Sequence, residues 1–245
     1  MLIIKLNAIP STNTFLKELS ATKKVDNFTT VFAEHQTEGK GQRGNVWSVE
    51  AGKNLTFSTL ITNFSISQFS PFLLNILVPV SLIQVLEKFD LRSLKIKWPN
   101  DILAENKKIG GILIENTFKQ VNQIESIIGI GLNVNQTNFE SLPKASSLLL
   151  ETGQFKNIEE LLEKIVLQIE SNYNDLLNSE KQESYFWNFY HQCLFRKDIP
   201  SVFQDQNEEK FQGIIKNVTK EGKLEVLLED DTLKKYDIKE IMMLY

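Results

Sequence analysis

Residues 37–54 read TEGKGQRGNVWSVEAGKN, and this stretch sets the first constraint on the fold. Four glycines alternate there with three cationic residues, and Trp47 lies in the middle. Residues 30–35 and 55–61, on either side, nearly alternate apolar and hydroxyl side chains, which predicts two half-buried strands. Because glycine lets the main chain approach a ligand closely, a cationic loop of this kind can bind an anion. We therefore expect a phosphate-binding loop between two strands.

The loop contains a G-x-G-x-x-G pattern at residues 39–44, but this pattern does not predict a dinucleotide-binding fold. That fingerprint requires a helix after the glycines and an acidic residue about twenty positions further on. Here a strand follows, and residues 60–64 contain no Asp or Glu. A P-loop is excluded because Lys53 precedes Asn54 instead of Ser or Thr. Taken alone, the stretch is equally compatible with a hairpin loop that carries solubilising lysines.

The composition is that of an ordinary globular protein. The chain has 245 residues, 42% of them hydrophobic and 24% charged, with a net charge of −4. This length allows one large domain, alone or with a small one, and the mild acidity argues against nucleic-acid binding. One cysteine, Cys193, excludes an internal disulfide and predicts a reducing cytoplasm, and the chain has too few His and Cys residues for a usual zinc site. The most apolar segment, 72–86, is interrupted by polar residues, which favours a core helix over a membrane span.

Hydrophobic periodicity predicts the remaining elements. Strands are predicted at 2–6, 94–98, 102–103, 108–115 and 123–134. Helices are predicted after Pro10, from Ser70-Pro71 through the region of Pro79, at 158–177 and at 184–194. Pro79 either kinks its helix or lies close to its start. Glycine weakens a strand, so the glycines at 110–111, 129 and 131 suggest that a ligand or another backbone approaches the sheet there.

The beginning and the end of the chain carry two further signals. Ser11 or Thr12 would cap the first helix, although three polar residues at 11–13 could equally hold a small polar head group. After residue 195 the chain contains only short strand-like runs, at 211–218, 224–229, 232–238 and 240–244. We therefore expect an α+β protein with a mixed or antiparallel sheet packed against helices, followed by a small β domain of SH3-like size.

Four stretches occur in a recognisable order: PSTNT at 10–14, TEGKGQRGNVW at 37–47, KWPNDIL with KKIGGILIE at 97–115, and GIGLNVN at 129–135. Together they resemble the biotin protein ligase family, and KWPND followed by KIGGILIE is the most specific part. The resemblance implies a class II synthetase-like catalytic domain at 1–195 and an SH3-like barrel at 196–245. It also implies a short form without the N-terminal DNA-binding domain of some members, and hence no DNA binding.

The resemblance implies a reaction in two steps. The carboxylate of biotin attacks the α-phosphate of ATP to give biotinyl-5′-AMP, with Mg²⁺ carried by ATP and no protein-only metal cage. A lysine of biotin carboxyl carrier protein, a subunit of acyl-CoA carboxylases, then displaces AMP. A lipoate or octanoate ligase and a non-catalytic biotin-binding sensor remain the alternatives. A free sheet edge could pair with the carrier or with a second copy of the chain, as a homodimer.

The resemblance also assigns roles to residues. Biotin is expected to contact Ser11, Thr12, Asn13, Gln36, Gly39, Lys40, Gly41, Lys108, Gly111 and Ile112. ATP or the adenylate is expected to contact Gln42, Arg43, Gly44, Trp47, Asn100, Lys108 and Asn133. The catalytic set is Lys108, Lys40, Arg43 and Asp101, in which Asp101 supports Mg²⁺ or receives the proton of the incoming amine.

The glycine loop departs from the family pattern, which usually reads G-R-G-R-x-G. This chain has Lys40 at the first arginine and Gln42 at the second. Lysine keeps the charge but loses the bidentate fork, and glutamine loses the charge. We predict that Arg43, one place later, takes over the anion contact. We also expect the loop to act as a lid that is poorly ordered without ligand.

Overall fold

The computed structural model describes residues 2–47, 49–139 and 142–245, apart from the side chains of Arg43 and Gln120. Its larger part is a seven-stranded sheet in the order β1-β2-β3-β7-β6-β5-β4. The strands are β1 (Ile3–Ile9), β2 (Thr30–Gln36), β3 (Leu55–Ser65), β4 (Leu94–Lys97), β5 (Asp101–Ala104), β6 (Lys107–Gln120) and β7 (Gln123–Leu132). β1 pairs with β2 in parallel and the other neighbours are antiparallel, which confirms the predicted mixed sheet.

Helices cover both faces of this sheet. They are α1 (Thr12–Thr22), α2 (Leu74–Leu86), α3 (Leu148–Thr152), α4 (Ile158–Leu177) and α5 (Glu183–Cys193). α1 packs Leu16 against Val31 and Leu60 on one face. α2, α4 and α5 pack together over the other face, in the main core. The fold is therefore a three-layer α+β arrangement.

α2 differs from its prediction at its start. The helix begins at Leu74, whereas Ser70 caps a turn by accepting a hydrogen bond from the Phe72 amide at 3.2 Å. The helix continues through Pro79, which resolves the two alternatives left by the sequence. Every position from Ile76 to Ile83 is buried, so packing around the whole helix offsets the hydrogen bond that proline removes.

A second, five-stranded antiparallel sheet follows, in the order β11-β10-β9-β8-β12. Its strands are β8 (Pro200–Asp205), β9 (Lys210–Val218), β10 (Leu224–Leu228), β11 (Leu233–Tyr236) and β12 (Ile241–Leu244). The Trp98 indole at the end of β4 donates to the Gly222 carbonyl between β9 and β10 at 3.0 Å. The apolar cores of the two sheets are continuous. Closure into an SH3-like barrel and the domain boundary at 195/196 stay predictions.

No helix in the described part of the chain is long and apolar enough to span a membrane.

Candidate active site

A cavity of 340 Å³ lies between the start of α1, the glycine loop, the strands β5 to β7 and the second sheet. Thirteen of the residues predicted for the site line it: Ser11, Thr12, Asn13, Gln36, Lys40, Gly41, Gln42, Trp47, Asn100, Asp101, Lys108, Gly111 and Ile112. Gly129, Ile130 and Gly131 line it as well, so all four motifs, which are distant in sequence, meet at one place.

Three predicted residues whose side chains are described are not among those that line the cavity. Gly39 and Gly44 belong to the glycine loop but lie outside the cavity lining. Asn133, expected at the nucleotide, is buried, and its amide donates to the Ser146 carbonyl at 2.9 Å. It therefore holds the segment after β7 instead of facing the cavity. The side chain of Arg43 lies outside the described residues, so its predicted role stays a prediction.

The start of α1 forms one end of the cavity. Ser11 caps the helix, and Thr12 and Asn13 follow in its first turn, each only 3% exposed. The Thr12 amide donates to the Gln36 side-chain oxygen on β2 at 2.7 Å. Hydrogen-bonding groups without charge dominate here, which is the chemistry of a pocket for a polar but neutral head group.

The glycine loop folds back on itself as a small hairpin over the cavity. Lys40 and Val46 form an antiparallel bridge, and the Trp47 amide donates to the Gly39 carbonyl at 2.9 Å. The Lys40 ammonium donates to the Thr14 hydroxyl at 2.9 Å, which fixes the loop to the first turn of α1. These contacts position a cationic loop above the pocket.

Trp47 lies against two of the strand glycines and explains one of them, Gly131. A Cβ at Gly131 would overlap the indole of Trp47, and a Cβ at Gly111 would lie 3.5 Å from it. The sheet therefore leaves room here for a side chain of its own loop. The Trp47 Nε1 is buried and has no hydrogen-bond partner among the described residues, so it can donate to a ligand.

The other end of the cavity is a cluster of lysines around one carboxylate. Asp101 on β5 accepts from the Lys108 ammonium on β6 at 2.6 Å and lies 3.8 Å from that of Lys97 on β4. Burial lowers the pKa of Lys97, Asp101 opposes this effect, and Lys108 and Lys144 add to it by repulsion. The excess of positive charge favours anions, because lysines outnumber carboxylates in a cleft with apolar walls.

Some residues that line the cavity were not predicted from the sequence. Lys97 lines the cavity and belongs to the KWPND motif, so the motif itself was the available signal. Ile238, Lys239 and Met242 also line it, from the second sheet. These three carry no local signal, because only the packing of the second sheet brings them to the cavity.

The carboxylates of the cavity decide how the protein could bind Mg²⁺. Within the described ranges, Asp101 is the only carboxylate that lines the cavity, and no group of three His, Cys, Asp or Glu could hold a metal ion. Mg²⁺ is commonly bound through one or two carboxylates together with substrate phosphates. The residues therefore fit an ion that arrives on ATP, and they do not form a cage of their own.

The sequence pattern of the biotin/lipoate A/B protein ligase family matches residues 6–133. The chain belongs to this family. The bifunctional ligase/repressor BirA of Bacillus spizizenii is 32% identical over 180 residues, which are 71% of this chain and 54% of that protein. The biotin–[acetyl-CoA-carboxylase] ligase of Mycobacterium tuberculosis is 32% identical over 142 residues, covering 57% of this chain and 52% of that one. The chain thus spans about half the length of these relatives.

A solved structure of similar architecture supports the fold over the whole chain. The biotin protein ligase from Aquifex aeolicus, in complex with biotin and ATP, superimposes with a TM-score of 0.79 at 26% identity. The match covers 99% of this chain and 98% of that one, including the second sheet.

Proposed function

We propose that the protein attaches biotin to a lysine of biotin carboxyl carrier protein in an ATP-dependent reaction through biotinyl-5′-AMP. The observation that carries the proposal is a single cavity with two unlike ends. A neutral hydrogen-bonding pocket at Thr12 and Gln36 suits a cyclic urea, and the cluster of Lys97, Lys108 and Asp101 suits a carboxylate beside a phosphate. The names of the relatives and the biotin and ATP in the Aquifex complex support the same reading.

In the first step, a carboxylate oxygen of biotin forms a bond to the α-phosphorus of ATP, and the bond to pyrophosphate breaks. In this proposal Lys108 stands between the two anions, and its ammonium would stabilise the charge on the phosphorus centre. Lys97 adds a second positive charge from β4. The loop carrying Lys40 would exclude water from the anhydride, which hydrolyses easily.

In the second step, the amine of the carrier lysine forms a bond to the activated carbonyl, and the bond to AMP breaks. The attacking amine must lose a proton, and among the described residues Asp101 is the only carboxylate that lines the cavity. We propose that Asp101 is this acceptor and that Lys108 stabilises the departing phosphate. Trp47 and Asn100 would contact the adenosine side, with the Asn100 amide held by the Ile112 carbonyl at 2.9 Å.

Within the chain, we propose that residues 1–195 form the catalytic unit and residues 196–245 the small C-terminal unit. Contacts between the second sheet and the cavity support a role of the smaller unit in binding the substrates.

The direct test is incubation of the protein with biotin, Mg-ATP and an apo carrier domain, read by intact mass. We expect the carrier to gain the mass of one biotinyl group, and a carrier with its acceptor lysine changed to arginine to gain none. Tight biotin binding without any mass gain would contradict the ligase and favour a sensor.

Lipoate ligation is tested separately because the family includes lipoate ligases. A ligand that binds only the folded state raises the melting temperature by mass action. We expect biotin with Mg-ATP to raise it and lipoate with Mg-ATP to leave it unchanged. The reverse result would assign the protein to lipoate chemistry.

A further inference from the structure

We propose that Asn133 is a positioning residue for Lys108, because its side chain holds the chain segment that braces a β-bulge beside Lys108. The bulge turns the Lys108 side chain towards the cavity. This inference rests on the proposed function, since Lys108 is the residue that would contact the carboxylate of biotin. It gives Asn133, which lies outside the cavity lining, a role at the reacting group.

The bulge lies in β6, directly after Lys108. Along β5, Ile102 pairs with Gly110. The next residue of β5, Leu103, pairs with Lys108 instead of Ile109. Ile109 is therefore one extra residue in β6, and an extra residue in one strand of an antiparallel pair is a β-bulge.

The bulge decides which side of the sheet Lys108 faces. In a regular strand, residues three apart face opposite sides and adjacent residues do so as well. Here the Lys108 Nζ lies 3.5 Å from the place that a Cβ on Gly111 would occupy, so both residues face the cavity. The neighbours Ile109 and Gly110 both face the main core, where a Cβ on Gly110 would contact Leu132. The same residues in a regular strand would point Lys108 away from Gly111.

The chain that follows β7 braces the bulge. The Lys108 amide donates to the Lys144 carbonyl at 2.7 Å, and the Ser146 amide donates to the Lys108 carbonyl at 2.9 Å. The carbonyl of the extra residue, Ile109, accepts from the Asn133 amide at 2.7 Å. These bonds fix the peptide groups on both sides of the Lys108 Cα, and hence the direction of its side chain.

Asn133 connects the parts of this arrangement. Its backbone amide bonds the bulge, and its side-chain amide donates to the Ser146 carbonyl at 2.9 Å. Asn133 is 4% exposed and Ser146 is 1% exposed, so water does not replace this bond when it is lost. Removal of the amide would therefore loosen the segment that holds Lys108.

The tip of the Lys108 side chain is held separately. Its ammonium lies 2.6 Å from the Asp101 carboxylate and 5.6 Å from the centre of the Trp47 ring. These contacts act at the end of a flexible four-carbon chain, whereas the bulge sets where that chain starts. A displaced start would lengthen the charge-assisted hydrogen bond that Lys108 makes to a carboxylate.

The test compares biotin with biotinol, in which an alcohol replaces the carboxylate. Dissociation constants are measured by calorimetry without nucleotide, and the constant for biotinol divided by that for biotin measures the contact between Lys108 and the carboxylate. We expect Lys108→Met to lower this ratio about tenfold, the value of roughly one charge-assisted hydrogen bond. Asn133→Ala should lower it about three- to tenfold, because a displaced lysine keeps only part of the contact.

A double variant shows whether Asn133 acts through Lys108. In the Lys108→Met background, Asn133→Ala should lower the ratio no further. Asn135→Ala is the matched control, because Asn135 is 5% exposed and its amide donates to the Lys156 carbonyl at 2.9 Å, outside the cavity lining. It should keep the wild-type ratio. If Asn133→Ala does not fold, Asn133→Leu, which fills a similar volume without a donor, gives the same comparison.

Each outcome has one meaning. An unchanged ratio in Asn133→Ala, or a further loss in the double variant, overturns the positioning role while the ligase proposal stands. An unchanged ratio with a higher KM for ATP would assign Asn133 to the nucleotide instead. If Lys108→Met leaves the ratio unchanged, the inference fails because Lys108 does not contact the carboxylate. Absence of biotin binding to the wild-type protein overturns the proposed function, and the positioning role with it.

Discussion

Lys97 is the residue whose environment departs most clearly from that of an ordinary surface lysine. Burial lowers its pKa from 10.5, against the opposing effect of Asp101, and Lys108 and Lys144 lower it further by repulsion. Lys97 therefore loses its charge at a lower pH than a free lysine would. If Lys97 binds the phosphates of ATP, kcat/KM for ATP should begin to fall at a lower alkaline pH than it would if Lys97 had the pKa of an ordinary lysine.

The Lys97→Arg variant tests this expectation because arginine stays protonated throughout the range. We expect the alkaline limb of the pH profile to move to higher pH, even if the maximal rate falls. The profile is measured by pyrophosphate release under saturating biotin. An alkaline limb that does not move in Lys97→Arg would assign the titration to another group.

Arg43 and Gln42 give a second prediction at this scale. Gln42 lines the cavity at the place where the family pattern has an arginine. We expect Arg43→Ala to speed the release of preformed biotinyl-5′-AMP about tenfold, as the loss of a charge-assisted hydrogen bond to a phosphate would. Gln42→Ala should release it at the wild-type rate. Release is measured by filtration of the labelled adenylate. Faster release from Gln42→Ala alone would contradict the prediction that Arg43 makes the anion contact in place of residue 42.

Thirteen of the residues that line the cavity could be predicted because they lie in or beside short motifs. The bonds that hold the Asn13 amide beside the cavity could not, although one partner, Glu115, ends the KKIGGILIE stretch. Its other partner is Ser58 on β3, and the two are 102 and 45 residues from Asn13. Hydrogen bonds between residues so far apart follow from sheet register and helix placement, which local patterns do not contain.

At the scale of elements, the glycine loop and β7 depend on each other through Trp47. A Cβ at Gly131 would overlap the indole, whereas a Cβ at Gly111 would lie at the ordinary contact distance of 3.5 Å. We expect Gly131→Ala to displace Trp47, shift the tryptophan fluorescence and raise KM for ATP. Gly111→Ala is the matched control for the spectrum and should leave it near that of wild type. Identical spectra for wild type and Gly131→Ala would show that the loop does not pack on β7.

The contact between α5 and β9 is expected to depend on pH. The Val218 amide donates to His191 Nε2 at 3.3 Å. Burial lowers the pKa of His191 below 6.5. The Val218 carbonyl, 3.3 Å from the same Nε2, and Glu225 oppose this shift, and Lys197 adds to it. The folded state therefore binds the proton less readily than the unfolded state, and stability falls as the pH drops from about 6.5 through the lowered pKa.

Urea unfolding at pH 7.5 and pH 5 measures this effect. The His191→Gln variant keeps a polar side chain but does not titrate, so its midpoint should change less between the two pH values than that of wild type. A variant whose pH dependence equals that of wild type would exclude His191 as the cause.

The boundaries of the elements show what local sequence determines. The strands flanking the glycine loop and the helix α4 were predicted closely, because their apolar spacing is strong. α3 and β8 were missed because five- and six-residue segments carry too few periods to be recognised. The start of α2 was misplaced because Ser70-Pro71 has the composition of a helix start but forms a separate turn.

For the whole molecule, the important relation is that the second sheet closes the cavity of the first. Trp98 bonds Gly222 at 3.0 Å, and a Cβ at Gly222 would overlap the ring of Phe72. The KWPND motif thus contributes both Lys97 to the site and Trp98 to the junction. The sequence predicted a separate β tail, but not that the tail forms a wall of the site, since that depends on how two complete units pack.

Tyr245 follows β12 and does not itself line the cavity, but it contacts Lys97, which does, so it tests whether the second sheet matters for function. Its ring lies 5.1 Å from the Lys97 ammonium and 4.3 Å from that of Lys144, and it packs edge-on against Phe195 at 5.2 Å. An aromatic face attracts a cation by roughly 0.5 to 2 kcal/mol, so the ring would hold both lysines beside the nucleotide end of the cavity. Loss of the ring should leave them free to turn towards solvent.

We therefore expect Tyr245→Ala to raise KM for ATP by about two- to thirtyfold, the range that corresponds to this attraction, with little change in KM for biotin. Tyr245→Phe keeps the ring and should behave as wild type. Both constants come from pyrophosphate release, and melting temperatures check that the second sheet remains folded. If Tyr245→Phe lost as much as Tyr245→Ala, the hydroxyl would be responsible. If neither variant changed KM for ATP, the ring would have no role in nucleotide binding.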